Sequence, residues 1–408
     1  MVKKIKIQNY KSVQDLTLEL GRINVLIGAN GCGKSNILEA IAFGSAAADN
    51  KLDKEFLSAR GIRVTDPRAM RSGFDKESCE RNISILFDAK NEEILIEIKN
   101  DNDVFSEWKR AFRSFALSDA KAITDKFLKE QDKIEKLLEN IKLADSNKSE
   151  NTIEIQMKIE KINEMYRNMM EMHHEAQSKI KEHESKLNEY NNFRIYAPEN
   201  TFLRRFEDDE KSSPLGIRGE GLFDLLNEMN NKTPEEFQEI IENLELIDWF
   251  DGFDIPKDLV FTERRIRIKD RFLEEGLQYF DQRSSNEGFL FLMFYFALFI
   301  SKYTPKFFAI DNIDASLNPK LCIELIKILT KLAKKHDKQV IFTTHNPAVL
   351  DGLNLNDDEV RLLVVSRNRD GHTKMKRILP VEVPEGKVPV RLSEQFMRGY
   401  IGGLPKNF

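Results

Sequence analysis

Residues 28–35 read GANGCGKS, a stretch that satisfies the pattern GxxxxGK(S/T) at every fixed position. The apolar run Ile23–Ile27 precedes it and predicts a strand, and the spacing of apolar residues over 36–43 predicts a helix after it. A glycine-rich loop between a strand and a helix can turn its backbone N–H groups toward a phosphate, and the positive end of the helix adds to the attraction. The sequence therefore predicts a nucleotide-binding P-loop.

The residues of this loop have distinct expected roles. Lys34 would reach the β- and γ-phosphate oxygens of ATP, and the Ser35 hydroxyl would coordinate Mg²⁺. Cys32 is expected to act through its backbone rather than through its thiol. The residues expected to bind the nucleotide here are Asn30, Gly31, Cys32, Gly33, Lys34, Ser35 and Asn36.

A second acidic strand lies far along the chain. Phe307–Ile310 is wholly apolar and is followed by Asp311, as expected for a buried parallel strand that delivers a carboxylate at its carboxyl edge. Such a carboxylate can hold the Mg²⁺ of a bound nucleotide through a water, so Ser35 and Asp311 are the expected residues of the metal site. We therefore expect Lys34 and Asp311 to converge on one magnesium triphosphate.

The apolar run Gln339–Thr344 predicts a further strand, and it leads directly into His345. A histidine at the end of a strand beside the γ-phosphate can sense that group and orient the attacking water. Considered alone, a histidine at the end of a strand is more often structural than catalytic. Its place after the Asp311 strand favours the catalytic role.

A compositionally distinct insertion is expected between the two motif regions, because 118–192 contains neither Gly nor Pro. Apolar residues step by alternating threes and fours over 120–144 and 159–190, which is typical of a coiled-coil seam. The polar stretch 145–151 separates the two runs, so we expect an antiparallel hairpin that projects roughly 40 Å; two surface helices packed on the body are the alternative. The expected division is an amino-terminal lobe of the head over 1–117, the hairpin over 118–193 and a carboxy-terminal lobe over 194–408.

Other local patterns predict further elements. Two apolar runs separated by a short polar stretch predict a β-hairpin over 83–99. Amphipathic helices are expected over 222–250, with one helix starting at the stretch TPEE, where Thr233 is the expected cap and Pro234 the first helical residue. A strand is expected over 259–269.

Composition limits the class of protein. The 408 residues are 41% hydrophobic and 32% charged, which suits one large α/β domain with an insertion, or two domains. A net charge of −5 argues against a surface that attracts nucleic acid throughout, although a local basic patch is compatible with it. The chain has three cysteines, and their spacing is not that of metal ligands. Its first residues carry no apolar signal core, and its most apolar run, 288–300, is too short to cross a bilayer. These features predict a reduced cytoplasmic protein without a membrane partner.

Four stretches carry a resemblance to a known family: IQNYKS at 7–12, GANGCGKSN at 28–36, IDNIDASLNP at 310–319 and TTHNPAVLD at 343–351. Together they resemble the ABC-type ATPases of the SMC and RecF kind, and most closely the small prokaryotic OLD-like and Septu-type phage-defence ATPases. The tail GGLPKNF also looks like that branch. The resemblance implies an α/β fold, an ABC-type P-loop head with a mixed sheet and an inserted coiled-coil hairpin, and ATP with Mg²⁺ as its ligands.

In this family two heads sandwich two ATPs, and each site joins the Walker motifs of one head to a signature loop of the other. The resemblance therefore implies a homodimer or a higher homo-oligomer closed through the ATP sites. Residues 283–287, RSSNE, are the signature candidate, because Ser and Asn side chains ahead of an apolar helix suit a γ-phosphate, although both central glycines of the pattern are absent. Residues 316–318 would meet the partner head, and no Q-loop glutamine can be assigned. The residues assigned to the signature loop are Ser284, Ser285, Asn286 and Glu287.

The main departure from the family pattern is Asn312, which stands where relatives carry a glutamate that polarises the attacking water. An amide cannot accept a proton, so a general-base contribution of typically about 10²–10⁴-fold should be missing there. Either the head hydrolyses ATP slowly and uses it as a clamp, or Asp314 takes over as the base, or an unidentified residue does. The expected catalytic set is Asp311, Asn312, Asp314 and His345.

Two functions are left open. The resemblance implies an ATPase subunit paired with a separate effector, such as a nuclease or another toxin, in prokaryotic defence, and the stretch after Asp351 carries no acid-rich metal constellation of its own. The alternative is a DNA-repair or chromosome-organising head that binds duplex DNA. For that role the basic pairs at 204–205, 264–265 and 334–335 could contact phosphates, although such pairs are ordinarily solvated surface.

Overall fold

The computed structural model of the chain describes residues 1–89, 92–103, 106–114, 133, 134, 136, 152–187, 190–206, 214–256, 264–274, 279–380 and 390–404. Its strands are β1 (Lys4–Tyr10), β2 (Val13–Glu19), β3 (Ile23–Ile27), β4 (Ile83–Ala89), β5 (Glu92–Lys99), β6 (Lys109–Ser114), β7 (Ile195–Tyr196), β8 (Phe250–Asp254), β9 (Arg267–Asp270), β10 (Tyr279–Phe280), β11 (Phe307–Ile310), β12 (Gln339–Thr344), β13 (Val360–Arg367) and β14 (Thr373–Ile378). Its α-helices are α1 (Lys34–Ala48), α2 (Lys54–Ser58), α3 (Pro67–Met70), α4 (Thr152–Leu187), α5 (Asn200–Arg205), α6 (Leu222–Lys232), α7 (Pro234–Leu244), α8 (Glu287–Ile300), α9 (Pro319–Lys335) and α10 (Leu392–Met397). A 3₁₀ helix covers Pro347–Gly352.

Six of these strands form the central sheet, in the order β14-β13-β3-β12-β11-β7. Every neighbouring pair is parallel except β13 and β14, so the sheet is mixed, as predicted. Strands β3, β11 and β12 have the bounds that the sequence predicts. Because β3 pairs with β12 and β12 with β11, their carboxyl ends lie side by side at one edge of the sheet.

Helix α1 packs on one face of the central sheet, and a second sheet covers it from the other side. The second sheet is antiparallel, with the order β2-β1-β4-β5-β6. Ile37 and Phe43 of α1 are fully buried in a core that also contains Leu26 of β3. The hairpin predicted over 83–99 is present as β4 and β5. The glycine-rich loop therefore leads into a helix that is held between two sheets.

Helix α8 belongs to the core on the opposite face of the central sheet. The apolar run predicted as a buried helix is confirmed, because 289–300 are all buried. The ring of Phe299 meets that of Phe308 on β11 edge-on, with centroids 5.2 Å apart. Within the part of the chain that the structure describes, no helix is both long and apolar enough to span a bilayer.

Helices α6 and α7 complete this side of the fold, beside a small sheet with the order β10-β9-β8. The helices predicted over 222–250 end earlier, at Leu244, and Phe250 begins β8. Thr233 stands at the predicted N-cap of α7 with Pro234 at the first helical position. The expected capping role of the Thr233 hydroxyl is wrong, since that hydroxyl is buried and has no hydrogen-bond partner among the described residues. Of the strand predicted over 259–269, residues 259–263 lie outside the described residues, and β9 covers Arg267–Asp270.

The described part of the insertion includes a long helix, α4, with 36 residues. Like the second predicted arm of the hairpin, this segment is helical. The first arm lies outside the described residues except for 133, 134 and 136, so the antiparallel hairpin stays a prediction. Of those, Ile134 is buried and belongs to a small apolar cluster with Ile162 and Met169 of α4.

A buried lysine ties the end of α8 to the start of β12. Lys338 is 2% exposed, and its ammonium donates to the carbonyl oxygens of Ser301 at 2.8 Å, Thr304 at 3.1 Å and Pro305 at 3.3 Å. It also donates to the Thr304 hydroxyl at 2.8 Å. Burial lowers the pKa of Lys338 to about 8. The charge is therefore kept in the interior by backbone acceptors rather than by a carboxylate.

We expect Lys338→Met to lower the free energy of unfolding by about 2 kcal/mol, because it leaves buried carbonyl groups without a donor. Urea denaturation of the full chain measures this change. The matched control is Lys306→Met, next to the stretch 304–305 that Lys338 contacts: the Lys306 side chain is 75% exposed and pairs with Asp337, so we expect a loss below about 1 kcal/mol. Equal losses in the two variants would contradict a structural role for the buried ammonium.

Candidate nucleotide-binding site

An open pocket of about 330 Å³ lies where the carboxyl ends of β3, β11 and β12 meet. It brings together residues that are far apart in the sequence. The described residues that line it are Asn30, Gly31, Gly33, Lys34, Ser35, Asn36, Arg63, Asp311, Asn312, His345 and Arg367. Most of the residues predicted from the glycine-rich loop and from the two later strands therefore share one pocket.

The two predicted metal ligands are neighbours. The Ser35 hydroxyl donates to Asp311 Oδ2 at 3.3 Å. Mg²⁺ prefers oxygen ligands at about 2.0–2.1 Å in octahedral geometry, which places adjacent ligand oxygens about 3 Å apart. A serine hydroxyl and a carboxylate at this separation therefore fit Mg²⁺.

Thr343 fixes the orientation of the Asp311 carboxylate. Its hydroxyl donates to Asp311 Oδ1 and accepts the backbone N–H of Asn312 at 2.9 Å. Thr343 lies on β12, the neighbour of β11, so the pairing of the two strands sets this contact. Sequence reasoning missed Thr343, because a threonine near the end of a strand gives no signal until its neighbour in the sheet is known.

The Lys34 ammonium is enclosed by the loop that carries it. It donates to the carbonyl oxygens of Gly28 at 2.7 Å and Ala29 at 3.2 Å. Lys34 is 6% exposed, and burial is the main reason why its pKa is lowered. Gly33, at the start of α1, has a φ of 109°, a left-handed conformation that suits glycine. A Cβ at Gly33 would lie 2.1 Å from Thr373 Oγ1, so the position also lacks room for a side chain.

A chain of hydrogen-bonded hydroxyl and amide groups holds the glycine-rich loop in place. The Thr373 hydroxyl donates to the carbonyl of Cys32 at 3.1 Å and lies 2.7 Å from the Ser12 hydroxyl. Asn36 Nδ2 donates to that Ser12 hydroxyl at 2.7 Å. The carbonyl of Cys32 is thus held in place, and the role expected for its backbone N–H at a phosphate stays a prediction. Ser12 belongs to the stretch IQNYKS, for which the sequence alone offered no physical role.

Arg63 adds a cation that the sequence did not reveal. It lines the pocket, and its Nε pairs with the carboxylate of Glu39, a residue that is 2% exposed on α1. This hydrogen bond is the main reason why the pKa of Arg63 is raised. The Lys11 ammonium also contacts Glu39, as does the Tyr10 hydroxyl, which donates at 3.3 Å. Arg63 lies in a loop without a recognisable motif, which is why pattern reasoning missed it.

The predicted catalytic residues do not all reach the pocket. His345 lines it, and burial followed by the nearby charge of Lys34 lowers its pKa, so its imidazole is neutral at pH 7. Asn312 also lines it and has a φ of 56°, a left-handed conformation that Asn tolerates better than most residues. Asp314 is not among the described residues that line the pocket. Its carboxylate accepts the Thr344 hydroxyl at 2.6 Å instead.

The predicted signature residues lie apart from this pocket, at the start of α8. Asn286 caps that helix by accepting the N–H of Phe289 at 2.8 Å. Glu287 accepts the hydroxyl of Ser316, so the loop over 316–318 and the signature candidate touch each other. Ser284 is exposed, whereas Ser285 is 2% exposed and its hydroxyl has no hydrogen-bond partner within the described part of the chain. None of the four lines the pocket of its own chain among the described residues.

Comparison with known proteins identifies a family. The family model described as "AAA domain, putative AbiEii toxin, Type IV TA system" matches residues 23–351. The "Uncharacterized protein MJECL10" of Methanocaldococcus jannaschii is 33% identical over 113 residues, which covers 26% of this chain and 50% of that protein. The "DNA double-strand break repair Rad50 ATPase" of Sulfolobus acidocaldarius is 42% identical over 52 residues, which covers 12% of this chain and 6% of that protein. The chain thus matches half or less of the length of these relatives.

A solved structure supports the fold. The crystal structure of an SMC head bound to the C-winged helix domain of ScpA aligns with a TM-score of 0.51 at 16% identity, covering 93% of this chain and 98% of that one. Identity at this level shows a shared fold and no more. The architecture is therefore that of an α/β P-loop ATPase head with a mixed sheet, like the SMC head.

We expect Thr373→Val to weaken the binding of Mg·ATP by about fivefold, because it removes a buried hydrogen bond worth about 1 kcal/mol from beneath the loop. Titration calorimetry of the full chain measures the affinity. The matched control is Thr330→Val on α9, where the hydroxyl donates to the carbonyl of Ile326 at 2.7 Å, away from the pocket. Unchanged affinity in Thr373→Val, or an equal loss in Thr330→Val, would contradict the supporting role of Thr373.

Proposed function

Because the chain belongs to the family of AAA domains described as putative AbiEii toxin, Type IV TA system, we propose that it is an ATPase head in which bound Mg·ATP clamps two copies together. The clamp would control a separate effector protein, a nuclease or another toxin, in prokaryotic anti-phage defence. Motif resemblance to OLD-like and Septu-type ATPases supports this finer role, and the toxin–antitoxin description of the family is compatible with it.

One observation carries the nucleotide chemistry of this proposal. The Ser35 hydroxyl lies 3.3 Å from Asp311, in a pocket that Lys34 also lines. Ser35 and Asp311 would hold Mg²⁺, and the metal would neutralise charge on the phosphate oxygens when bound. Lys34 would contribute a positive charge from the loop itself. The three residues thus offer one cation for a triphosphate and two oxygen groups for its Mg²⁺.

The clamp, rather than rapid turnover, is favoured by the groups around the γ-phosphate end of the pocket. Asn312 cannot accept a proton, and the Asp314 carboxylate is engaged by Thr344. His345 remains as a neutral group that could orient water. Asp311 is the one carboxylate among the described residues that line the pocket. Because no second carboxylate is there to act as a general base, hydrolysis should be slow and ATP should persist between the heads.

Pairing of two copies is supported by the position of the signature candidate, which does not line the pocket of its own chain among the described residues. The loop over 283–287 lies at the start of α8 and not in the pocket of its own chain. We propose that this loop contributes Ser284, Ser285, Asn286 and Glu287 to the nucleotide site of a second copy. The Ser285 hydroxyl has no partner among the described residues, but it is buried and would have to become exposed to make such a contact. The contact would require a local rearrangement, because Asn286 is occupied as a helix cap.

The alternative function, DNA binding, is favoured by the short match to a DNA-repair ATPase. The basic pairs suggested by the sequence weigh against it, because they have partners in the protein. Lys334 pairs with Asp357 at 2.6 Å, and Lys335 pairs with Glu239 at 2.8 Å. Arg264 pairs with Asp224 at 3.3 Å. ATP-dependent, salt-sensitive binding of duplex DNA by the purified chain would favour this alternative, and co-purification of a distinct effector from its native cell would favour the first function.

The clamp hypothesis predicts tight binding of Mg·ATP with turnover well below about 1 s⁻¹, the low end of ordinary enzyme rates. Steady-state phosphate release measures the turnover. The matched pair Asn312→Ala and Asp314→Ala should both leave this low rate within about threefold, because neither residue then acts as a general base. Turnover of tens per second that Asp314→Ala abolishes and Asn312→Ala does not would instead make Asp314 the catalytic base.

A further inference from the structure

The hairpin of β13 and β14 extends past the edge of the central sheet. Val364 is the last residue of β13 that pairs with β3, where it lies opposite Ile27. Beyond it, 365–367 pair with β14, and Arg367 lies opposite Thr373. Three residues of extended strand cover roughly 10 Å. This end of the hairpin therefore runs beside the glycine-rich loop, which begins directly after Ile27.

The hairpin contacts the loop from this side. A Cβ at Gly28 would lie 2.2 Å from the carbonyl oxygen of Val365, so the first residue of the loop is pressed against β13. The backbone N–H of Thr373 donates to the carbonyl of Ser12 at 2.8 Å, which ties β14 to the turn between β1 and β2. Because Thr373 lies opposite Arg367, the backbone of Arg367 has a fixed position relative to the loop.

The turn of the hairpin is also held in place. Asn368 Oδ1 accepts the backbone N–H of Asp370 at 3.1 Å and that of His372 at 2.8 Å. The ring of His372 packs against that of Phe74, with centroids 4.6 Å apart. Asp370, the acidic residue of this turn, accepts Asn368 Nδ2 at 3.0 Å. The hairpin therefore carries Arg367 next to an ordered turn whose carboxylate is engaged within it.

Arg367 supplies the pocket with a cation whose donors are available. It lines the nucleotide pocket and is exposed. Among the described residues, neither a carboxylate nor a carbonyl oxygen bonds to its guanidinium. The other two cations of the described lining are engaged: Arg63 pairs with Glu39, and Lys34 donates to carbonyls of its own loop. The N–H groups of Arg367 can therefore meet a ligand without first leaving a partner in the described part of the chain.

The position of β13 selects the part of the nucleotide that Arg367 would meet. In the central sheet, β12 and β11 lie on one side of β3 and β13 lies on the other. Asp311 follows β11, so the metal would approach a phosphate from one side and Arg367 from the other. The metal bridges oxygens of the second and third phosphates, which leaves other oxygens of the terminal phosphate without a cation. A guanidinium suits such oxygens, because its planar N–H groups can bind two of them at once.

We propose that Arg367 binds the terminal phosphate of ATP from the β13 side of the pocket and thereby makes the site distinguish ATP from ADP. This inference rests on the proposed function, because it takes the pocket to hold Mg·ATP. The charge balance supports it: three cations line the described pocket against one carboxylate, that of Asp311, which suits a polyanion. ADP lacks the terminal phosphate and would lose this contact.

The test compares Arg367→Ala with the wild-type chain by titration calorimetry in Mg²⁺, with a non-hydrolysable ATP analogue and, separately, with ADP. We expect the variant to bind the analogue at least about tenfold less tightly, because it loses a charge-assisted hydrogen bond. Its affinity for ADP should stay within about twofold of that of the wild type. The matched control is Arg369→Ala, which removes another exposed arginine from the same turn that does not line the pocket among the described residues. This control should bind both nucleotides like the wild type.

The outcomes separate this inference from the proposed function. A wild-type chain that binds no Mg·ATP would overturn both. Unchanged affinity for the analogue in Arg367→Ala, or an equal loss for the analogue and for ADP, would overturn the inference and leave the nucleotide site intact. An equal loss in Arg369→Ala would do the same, because the general positive charge of the hairpin would then explain the effect. Sedimentation beside each titration shows whether copies pair, and a loss confined to paired chains would instead assign Arg367 to the contact between heads. A thermal unfolding midpoint equal to that of the wild type excludes misfolding as the cause of any loss.

Discussion

The contact between Ser35 and Asp311 is the constraint on which the rest of the molecule depends. These residues belong to segments far apart in the sequence, and they meet only because β3, β12 and β11 are neighbours in a parallel sheet. That pairing requires both faces of the sheet to be covered, since purely parallel pairs are stable when buried. Helix α1 and the second sheet cover one face, and the apolar helix α8 belongs to the core that covers the other. The fold therefore keeps a hydroxyl and a carboxylate within hydrogen-bonding distance of each other, as the proposed metal site requires.

Much of this arrangement could be predicted from the sequence, because strong local patterns mark it. The apolar strands β3, β11 and β12 end where polar residues of the site begin, so their bounds and the position of Asp311 were predictable. Thr343, Thr373 and Arg63 were not, because each acts through a neighbour in space that no local pattern specifies. The cap at Thr233 failed for the same reason: the helix begins there, but tertiary packing leaves its hydroxyl without an acceptor or donor among the described residues.

The proposed clamp depends on one position in the pocket, Asn312. Asn312 occupies a left-handed conformation directly after Asp311, a geometry that a short polar side chain accepts more readily than a longer one. Its backbone N–H is held by Thr343, so the residue contributes to the placement of Asp311 as well. The local fold thus supplies a reason for an amide at this point that is independent of catalysis. Under the proposed clamp, the same residue would account both for slow hydrolysis and for the placement of Asp311.

The most direct test of the shared metal site is a double-mutant cycle on the affinity for ATP as a function of Mg²⁺, with Ser35→Ala, Asp311→Asn and the two combined. If both side chains hold one Mg²⁺, each single change removes most of the Mg²⁺ dependence. The double variant should then bind ATP only slightly less tightly than the single variant with the lower affinity. This corresponds to a coupling energy of about 1–3 kcal/mol between the two positions. Fully additive losses, or ATP binding that is indifferent to Mg²⁺ in the wild-type chain, would contradict the account.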